Sequence, residues 1–127
     1  MKAEISLSDG EWRLMNLLWA HAPRTITELV RAEADDTRWS KHTIITMLGR
    51  LEEKGAVRHE EGPRAKRFYP AVEQGAAAMA ATEAFLERVY GGSLGLMMGA
   101  MVRGGNLSRS ELNELYLLLR EAEERRR

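Results

Sequence analysis

The chain has 127 residues, of which 44% are hydrophobic and 30% are charged, and its formal net charge at pH 7 is zero. This composition is ordinary for a globular protein of one or two small domains and argues against wholesale disorder. The absence of cysteine excludes disulfides, thiolate metal sites and thiol redox sensing.

Neither a membrane span nor an export signal is indicated. No apolar run reaches the roughly 18 residues that a membrane helix needs. The N-terminal segment MKAEISLSDGEW lacks the apolar core of a signal peptide. We therefore expect a cytoplasmic protein, and a chain without cysteine fits that compartment.

The first two predicted helices each begin with a capping box. In LSDGEW, Ser8 caps a helix, and Glu11, three residues later, accepts a hydrogen bond from the backbone of the cap. Thr25 and Glu28 repeat this pattern at the start of a second, short helix. We expect that second helix to end near Asp35.

The third predicted helix is SKHTIITMLGRLEEKG, residues 40–55, with Ser40 as its N-cap and Gly55 in the position of a left-handed C-cap. Its inward face is apolar at 3.6-residue spacing and consists of Ile44, Met47, Leu48 and Leu51. The opposite face is unusual for a solvated helix, because its side chains are small or hydrogen-bonding and carboxylates occur only near the end.

After the third helix the period of the sequence changes. Two short, partly alternating segments, AVRHEE and KRFYPAV, flank the turn sequence at residues 62–64, and this pattern predicts a β-hairpin. The part of the hairpin that leads from the turn into the second strand is basic, with Arg64, Lys66 and Arg67. Residues 39–70 contain seven basic and four acidic residues, so this segment is locally positive on a neutral chain.

The remaining sequence is helical from Gln74, with breaks at residues 91–92 and 104–105 and a further capping box at Ser108 and Glu111. About 55 residues cannot bury a good core alone, so their apolar stripes need a partner, and a second copy of the chain is the simplest one. The expected dimerisation residues are Phe85, Leu86, Val89, Leu94, Met97, Met98, Met101, Leu112, Leu115, Tyr116 and Leu119.

The predicted fold is mostly α with a small β-hairpin. Three helices followed by a hairpin form a winged helix-turn-helix arrangement, so we predict a winged-helix DNA-binding domain at residues 1–72 and a helical dimerisation domain at residues 73–127. In helix-turn-helix proteins the second helix of the pair enters the major groove and its first residues meet base edges. The expected DNA-binding residues are Ser40, Lys41, His42, Thr43, Thr46 and Arg50 on the third helix, with Arg64, Lys66 and Arg67 as phosphate contacts on the hairpin.

Four segments together resemble the penicillinase-repressor family of bacterial winged-helix transcriptional regulators, the BlaI/MecI/CopY type. LSDGEWRLMNLLW, TITELV and SKHTIITMLGRLEEKG look like the family's first, second and recognition helices, and FLERVYGG looks like the junction in its dimerisation region. The resemblance covers almost the whole chain. It implies a homodimeric repressor that binds a palindromic operator in double-stranded DNA, and it adds Ile45 to the DNA-facing positions.

Three departures from the family pattern limit what the resemblance implies. Ile45 stands where several relatives have a basic or polar residue, so no operator sequence is implied. Beta-lactamase repressors of the family are inactivated by proteolysis at an Asn-Phe pair in the fifth helix, where this chain has Ala100-Met101. The Asn-Phe cleavage rule therefore does not apply directly, while a regulatory protease that cuts near these positions stays open as a partner. The copper-responsive branch uses C-terminal cysteines, which are absent here.

Other functions have less support in the sequence. The alternative is a winged-helix protein–protein interaction module without DNA binding, motivated by the apolar Ile45 on the outer face and by the neutral net charge. No nucleophile–base pair, carboxylate dyad or phosphate-binding loop is visible, so we expect no enzymatic activity. The histidines are far apart in sequence and the methionines near residue 98 suit a packed interface, so we expect no metal and no cofactor.

Overall fold

The computed structural model describes residues 5–33 and 39–127. Its elements in chain order are α1 (Asp9–Ala20), α2 (Ile26–Glu33), α3 (Lys41–Lys54), β1 (Val57–Glu60), β2 (Arg67–Pro70), α4 (Gln74–Tyr90), α5 (Leu94–Arg103) and α6 (Arg109–Arg125). This order confirms the predicted mostly α fold with a winged helix-turn-helix arrangement. The chain forms two compact units that divide between Thr82 and Glu83, inside α4.

The predicted helix starts are confirmed by their hydrogen bonds. At α1, the Ser8 N–H donates to Glu11 Oε1 at 2.8 Å, and the Glu11 N–H donates to Ser8 Oγ at 3.2 Å. The same pair of bonds opens α2 and α6. The C-cap of α3, Gly55, has φ 81°, a left-handed conformation that favours glycine. The predicted end of α2 near Asp35 lies outside the described residues.

The buried apolar core belongs to the first three helices and the hairpin. Its members are Leu14, Met15 and Leu18 of α1, Leu29 of α2, Ile44, Leu48 and Leu51 of α3, and Ala56, Val57 and Phe68 from the hairpin region. Met47, the fourth predicted inward residue of α3, packs against this cluster. The core therefore fixes which side of α3 faces inward and leaves the other side outside it.

The two strands pair antiparallel, with Val57 opposite Pro70 and Glu60 opposite Arg67. We call β1, β2 and their connection, residues 57–70, the wing. A single backbone bridge adds Arg24 to β2, because the Arg24 N–H donates to the Phe68 carbonyl at 3.2 Å and the Phe68 N–H donates back at 2.9 Å. The sequence analysis did not predict this bridge, which ties the segment before α2 to the wing.

The helices after the wing differ from the first three. Residues 74–127 are all described, and none of the side chains of α4, α5 or α6 is buried. Their apolar residues are half-buried or exposed. No helix in the described part of the chain combines the length and the apolar character needed to cross a bilayer.

Candidate nucleic-acid interface

The outer face of α3 carries the residues predicted to bind DNA. We use this name for the side of the helix opposite Ile44, Leu48 and Leu51. Thr43 is half-buried, and the other predicted residues are exposed, namely Ser40, Lys41, His42, Ile45, Thr46 and Arg50. None of these side chains is part of the core, so the helix presents a polar, partly basic surface outward.

Two of these residues also stabilise the start of the helix. Ser40 Oγ accepts a hydrogen bond from the Thr43 N–H at 3.1 Å, and the two hydroxyl oxygens lie 3.0 Å apart. Ser40 is thus the N-cap of α3, as the sequence predicted. A hydroxyl has one proton and two lone pairs, so these bonds leave both side chains with some remaining capacity for hydrogen bonds.

The predicted wing residues are exposed at the tip of the hairpin. Arg64 and Lys66 lie in the connection between the strands, and only Arg67 lies in a strand. Arg64 and Arg67 line one open depression together with Thr25, the residue before α2. The turn needs a glycine at position 62, because a Cβ there would collide with the Ala65 carbonyl oxygen. The structure therefore places two of the three wing cations beside the start of α2.

The seven basic residues of segment 39–70 fall into two groups. Lys54 Nζ pairs with Glu11 Oε1 and donates to the Ser6 carbonyl at 2.7 Å. Arg58 pairs with Glu60 at 2.9 Å. Within the described residues the other five have no acidic partner, and they are Lys41, Arg50, Arg64, Lys66 and Arg67. These five are the basic residues that the sequence analysis assigned to DNA.

The contact between Glu11 and Lys54 was not predicted. Glu11 is only 2% exposed. Burial raises the pKa of its carboxyl, but hydrogen bonds from Lys54 and from the Ser8 backbone outweigh burial and leave the pKa below its usual value. The carboxylate thus holds the last residue of α3 against the start of α1. The capping box located Glu11 in the sequence, but no local signal indicated a partner 43 positions away.

A second contact joins α3 to the wing. His59 Nδ1 lies 2.8 Å from Glu52 Oε2, and the His59 ring is 5.6 Å from the Phe68 ring. Glu52 is one of the two carboxylates at the end of α3, so His59 of the wing contacts one of the two acidic side chains of this helix. Within the described residues, no group of three histidine, aspartate or glutamate side chains is arranged to hold a metal ion.

The predicted dimerisation residues form no buried core in the described structure. Leu86, Met97, Met98, Met101 and Leu115 are half-buried. The others are between 41% and 65% exposed, namely Phe85, Val89, Leu94, Leu112, Tyr116 and Leu119. The prediction did not include five further large apolar residues that are exposed in these helices, Met79, Leu96, Val102, Leu117 and Leu118. For Leu117 and Leu118 the available signal was the run of five apolar residues at 115–119, which is too long for one helical stripe.

Comparison with known protein sequences gives one consistent family. A family model described as penicillinase repressor matches residues 7–121. The penicillinase repressor of Bacillus licheniformis is 32% identical over 127 residues, which cover 100% of this chain and 99% of that protein. The methicillin resistance regulatory protein MecI of Staphylococcus aureus is 26% identical over 113 residues, which cover 89% of this chain and 92% of that protein.

Comparison with solved structures gives matching folds. The solution structure of the DNA-binding domain of the repressor BlaI matches with TM-score 0.52 and 32% identity, covering 58% of this chain and 90% of that chain. Monomeric BlaI of Bacillus licheniformis in complex with the blaP half-operator matches with TM-score 0.51 and 32% identity. The match covers 59% of this chain and 92% of that chain. A mutant MarR from E. coli shares the fold, with 20% identity and TM-score 0.52. The match covers 92% of this chain and 78% of that chain.

Proposed function

This chain belongs to the penicillinase repressor family, and from that premise we propose that it is a homodimeric, sequence-specific DNA-binding repressor of transcription that recognises a palindromic operator. The observation that carries the proposal is the group of five basic side chains, on α3 and at the wing tip, that have no acidic partner among the described residues. No described acidic side chain neutralises their charge, and DNA phosphates are suitable partners for it.

Each part of the interface has a distinct role in this proposal. The outer face of α3 enters the major groove, where Thr46 and Arg50 contact base edges or phosphates. The N-terminus of α3 carries partial positive charge and favours a phosphate. Arg64, Lys66 and Arg67 of the wing contact the phosphate backbone, so they add affinity and fix the register without reading sequence.

Two copies are required because one module makes few contacts. We propose that residues 1–72 bind DNA and that residues 73–127 hold the two copies together through the apolar residues of α4, α5 and α6. A rigid pair adds the contributions of both modules and reads half-sites about one helical turn apart, or a multiple of that spacing. The unburied apolar side chains of the last three helices support this role.

The proposal extends to activity, location and regulation. A protein that acts by occupying DNA needs no catalytic site and no cofactor, and we place it in the cytoplasm, where bacterial operators are found. A regulatory protease is an additional candidate partner. The position corresponding to the relatives' cleavage pair, Ala100-Met101, lies inside α5, so a cut there would detach α6 with its apolar residues.

Two substitutions on α3 test the DNA-binding assignment. We expect Thr46→Ala and Arg50→Ala each to weaken binding to the selected operator by about 1–3 kcal/mol without changing the fold, because both side chains are exposed. Binding is measured by fluorescence anisotropy and the fold by circular dichroism. Glu53→Ala, an exposed change on the same helix that removes a negative charge, is the control and should not weaken binding. Full affinity in both variants would refute the assignment of α3 as the recognition helix.

A protein-docking module is the second candidate function, favoured by one observation. Ile45 is 43% exposed on a face that is otherwise polar. Titrating salt against binding to duplex DNA separates the two functions, because each phosphate contact lowers the slope of log affinity against log salt by about 0.9. A steep negative slope supports the repressor. No binding to any duplex at low salt supports the docking module.

A further inference from the structure

Ile45 is an apolar side chain in the middle of the outer face of α3. It is 43% exposed, whereas the inward residues Ile44 and Leu48 of the same helix are at most 2% exposed. The core is therefore complete without Ile45. Its neighbours on the outer face, His42 and Thr46, are exposed and polar.

The space beside Ile45 is open. Gly49 lies four residues further along and therefore on the same side of the helix. A Cβ added at Gly49 would meet no atom within 4 Å outside the helix's own backbone. Long side chains on a helix lean towards its N-terminus, so Ile45 leans towards the end of α3 that bears Lys41 and His42. This is the end that meets base edges in a helix-turn-helix complex.

The chemistry of the major groove restricts what an isoleucine can contact there. Base edges in that groove present hydrogen-bond donors and acceptors, and the apolar group among them is the 5-methyl of thymine. Covering an amino group or a carbonyl with isoleucine would leave it without a hydrogen bond and would cost free energy. Covering a methyl group removes apolar surface from water and is favourable.

We propose that Ile45 is a specificity-determining residue that selects a 5-methylpyrimidine in each half-site. The inference rests on the proposed DNA-binding function and gives Ile45 a role in it. Thymine supplies this methyl in ordinary DNA, and 5-methylcytosine presents the same group at a cytosine·guanine pair. Ile45 offers no hydrogen bond, so the selection works through the methyl group alone.

The experiment uses the full chain and duplexes recovered by binding-site selection from random DNA. Each thymine of the recovered half-site is replaced in turn by deoxyuridine, which lacks only the methyl group. We expect one replacement per half-site to weaken binding by about fourfold, the value for one buried methyl-sized group. In Ile45→Ala the same replacement should have no effect, because the contacting side chain is gone.

A second arm separates the two sources of the methyl group. The sensitive thymine·adenine pair is changed to cytosine·guanine, with and without a 5-methyl on the cytosine. The wild-type chain should bind the methylated duplex about fourfold more tightly than the unmethylated one. Ile45→Ala should bind both equally, and Glu53→Ala, the exposed control change on the same helix, should retain the wild-type preference.

The outcomes distinguish this inference from the proposed function. If deoxyuridine weakens the wild type and Ile45→Ala equally at every position, Ile45 does not read a methyl group, and the inference is overturned while DNA binding stands. If binding-site selection recovers no duplex at low salt, the proposed DNA-binding function and the inference about Ile45 are both overturned. Thermal unfolding of Ile45→Ala should match the wild type within a few degrees, because the side chain lies outside the core.

Discussion

Gly49 lies within α3, on the outer face that we assign to DNA. Apart from its chain neighbours and the helix's own backbone, a methyl group added there would have no atom of the described residues within 4 Å. Glycine in a helix interior is unfavourable relative to alanine, because it loses more conformational freedom on folding. The described part of the protomer therefore gives no reason for glycine at this position, whereas a close approach between the helix and DNA would.

Gly49→Ala should thus have opposite effects on stability and binding. We expect the free energy of unfolding to rise by about 0.5–1 kcal/mol. The affinity for the operator should fall by about 1–3 kcal/mol, the usual cost of one added group in a tightly packed contact. Urea denaturation and anisotropy titration measure the two effects. Gly75→Ala, in α4 and equally open, is the matched control and should leave binding unchanged.

Single residues also show how far the sequence alone could lead. The capping partners Ser8 and Glu11 were predictable because their hydrogen bonds span only three positions. The burial of Glu11 and its bond to Lys54 were not, because 43 positions separate them and nothing local to either residue indicates the distance between them. At the candidate site, the sequence pattern named the five basic residues assigned to DNA. The structure adds that these five have no acidic partner among the described residues, whereas Lys54 and Arg58 have one.

At the scale of elements, two contacts hold the C-terminal end of α3. The Glu11–Lys54 pair joins its last residue to α1, and the His59–Glu52 contact joins its final turn to the wing. The Arg24–Phe68 bridge in turn ties the wing to the segment before α2. These contacts keep the first three helices and the wing in a fixed arrangement, which a rigid match to DNA requires.

Removing the Glu11 carboxylate should weaken this arrangement. We expect Glu11→Gln to lower the free energy of unfolding at pH 7 by roughly 1–3 kcal/mol, because the buried carboxylate that accepts hydrogen bonds from Lys54 and the Ser8 backbone is replaced by an uncharged amide. Glu28→Gln is the control, since Glu28 belongs to the equivalent capping box of α2 but is exposed. Its effect on stability should be smaller, and chemical denaturation measures both.

The dependence of stability on pH should change in the same variant. Burial raises the pKa of Glu11, but the hydrogen bonds from Lys54 and the Ser8 backbone lower it by more than burial raises it. The pKa of Glu11 in the folded chain is therefore below its pKa in the unfolded chain. The unfolded chain then binds the proton more readily. This part of the stability is present above the ordinary glutamate pKa and is lost as pH falls through the lowered value. Glu11→Gln should therefore lose less stability than the wild type between about pH 5 and pH 3.

At the scale of the whole molecule, the buried apolar side chains are confined to one part of the chain. Within residues 5–33 and 39–127, the ten buried hydrophobic residues run from Leu14 to Phe68. Of the three later helices, α5 and α6 have serine N-caps, but none of the three has a buried side chain. Periodicity predicted one apolar stripe on α6. The structure instead has exposed leucines at 117 and 118 as well, because five consecutive apolar residues cover most of the circumference of a helix.

A substitution on α6 tests whether a second copy covers these residues. We expect Tyr116→Ala to raise the dimer dissociation constant by about 30-fold, because large aromatic side chains contribute roughly 2 kcal/mol or more to interfaces. Sedimentation velocity over a range of concentrations measures it. Glu114→Ala, an exposed polar change on the same helix, is the control. A wild-type chain that stays monomeric at micromolar concentration would contradict the proposed assembly.

The confinement of the core to residues 14–68 affects how gene control would respond to protein supply. In the proposed assembly, a single newly made copy already has its folded DNA-binding domain, whereas its last three helices need a second copy to cover their apolar residues. When unpaired copies predominate, the number of pairs varies with the square of the number of chains. Halving synthesis would then cut occupancy of a control site about fourfold, so release from repression would be abrupt rather than proportional.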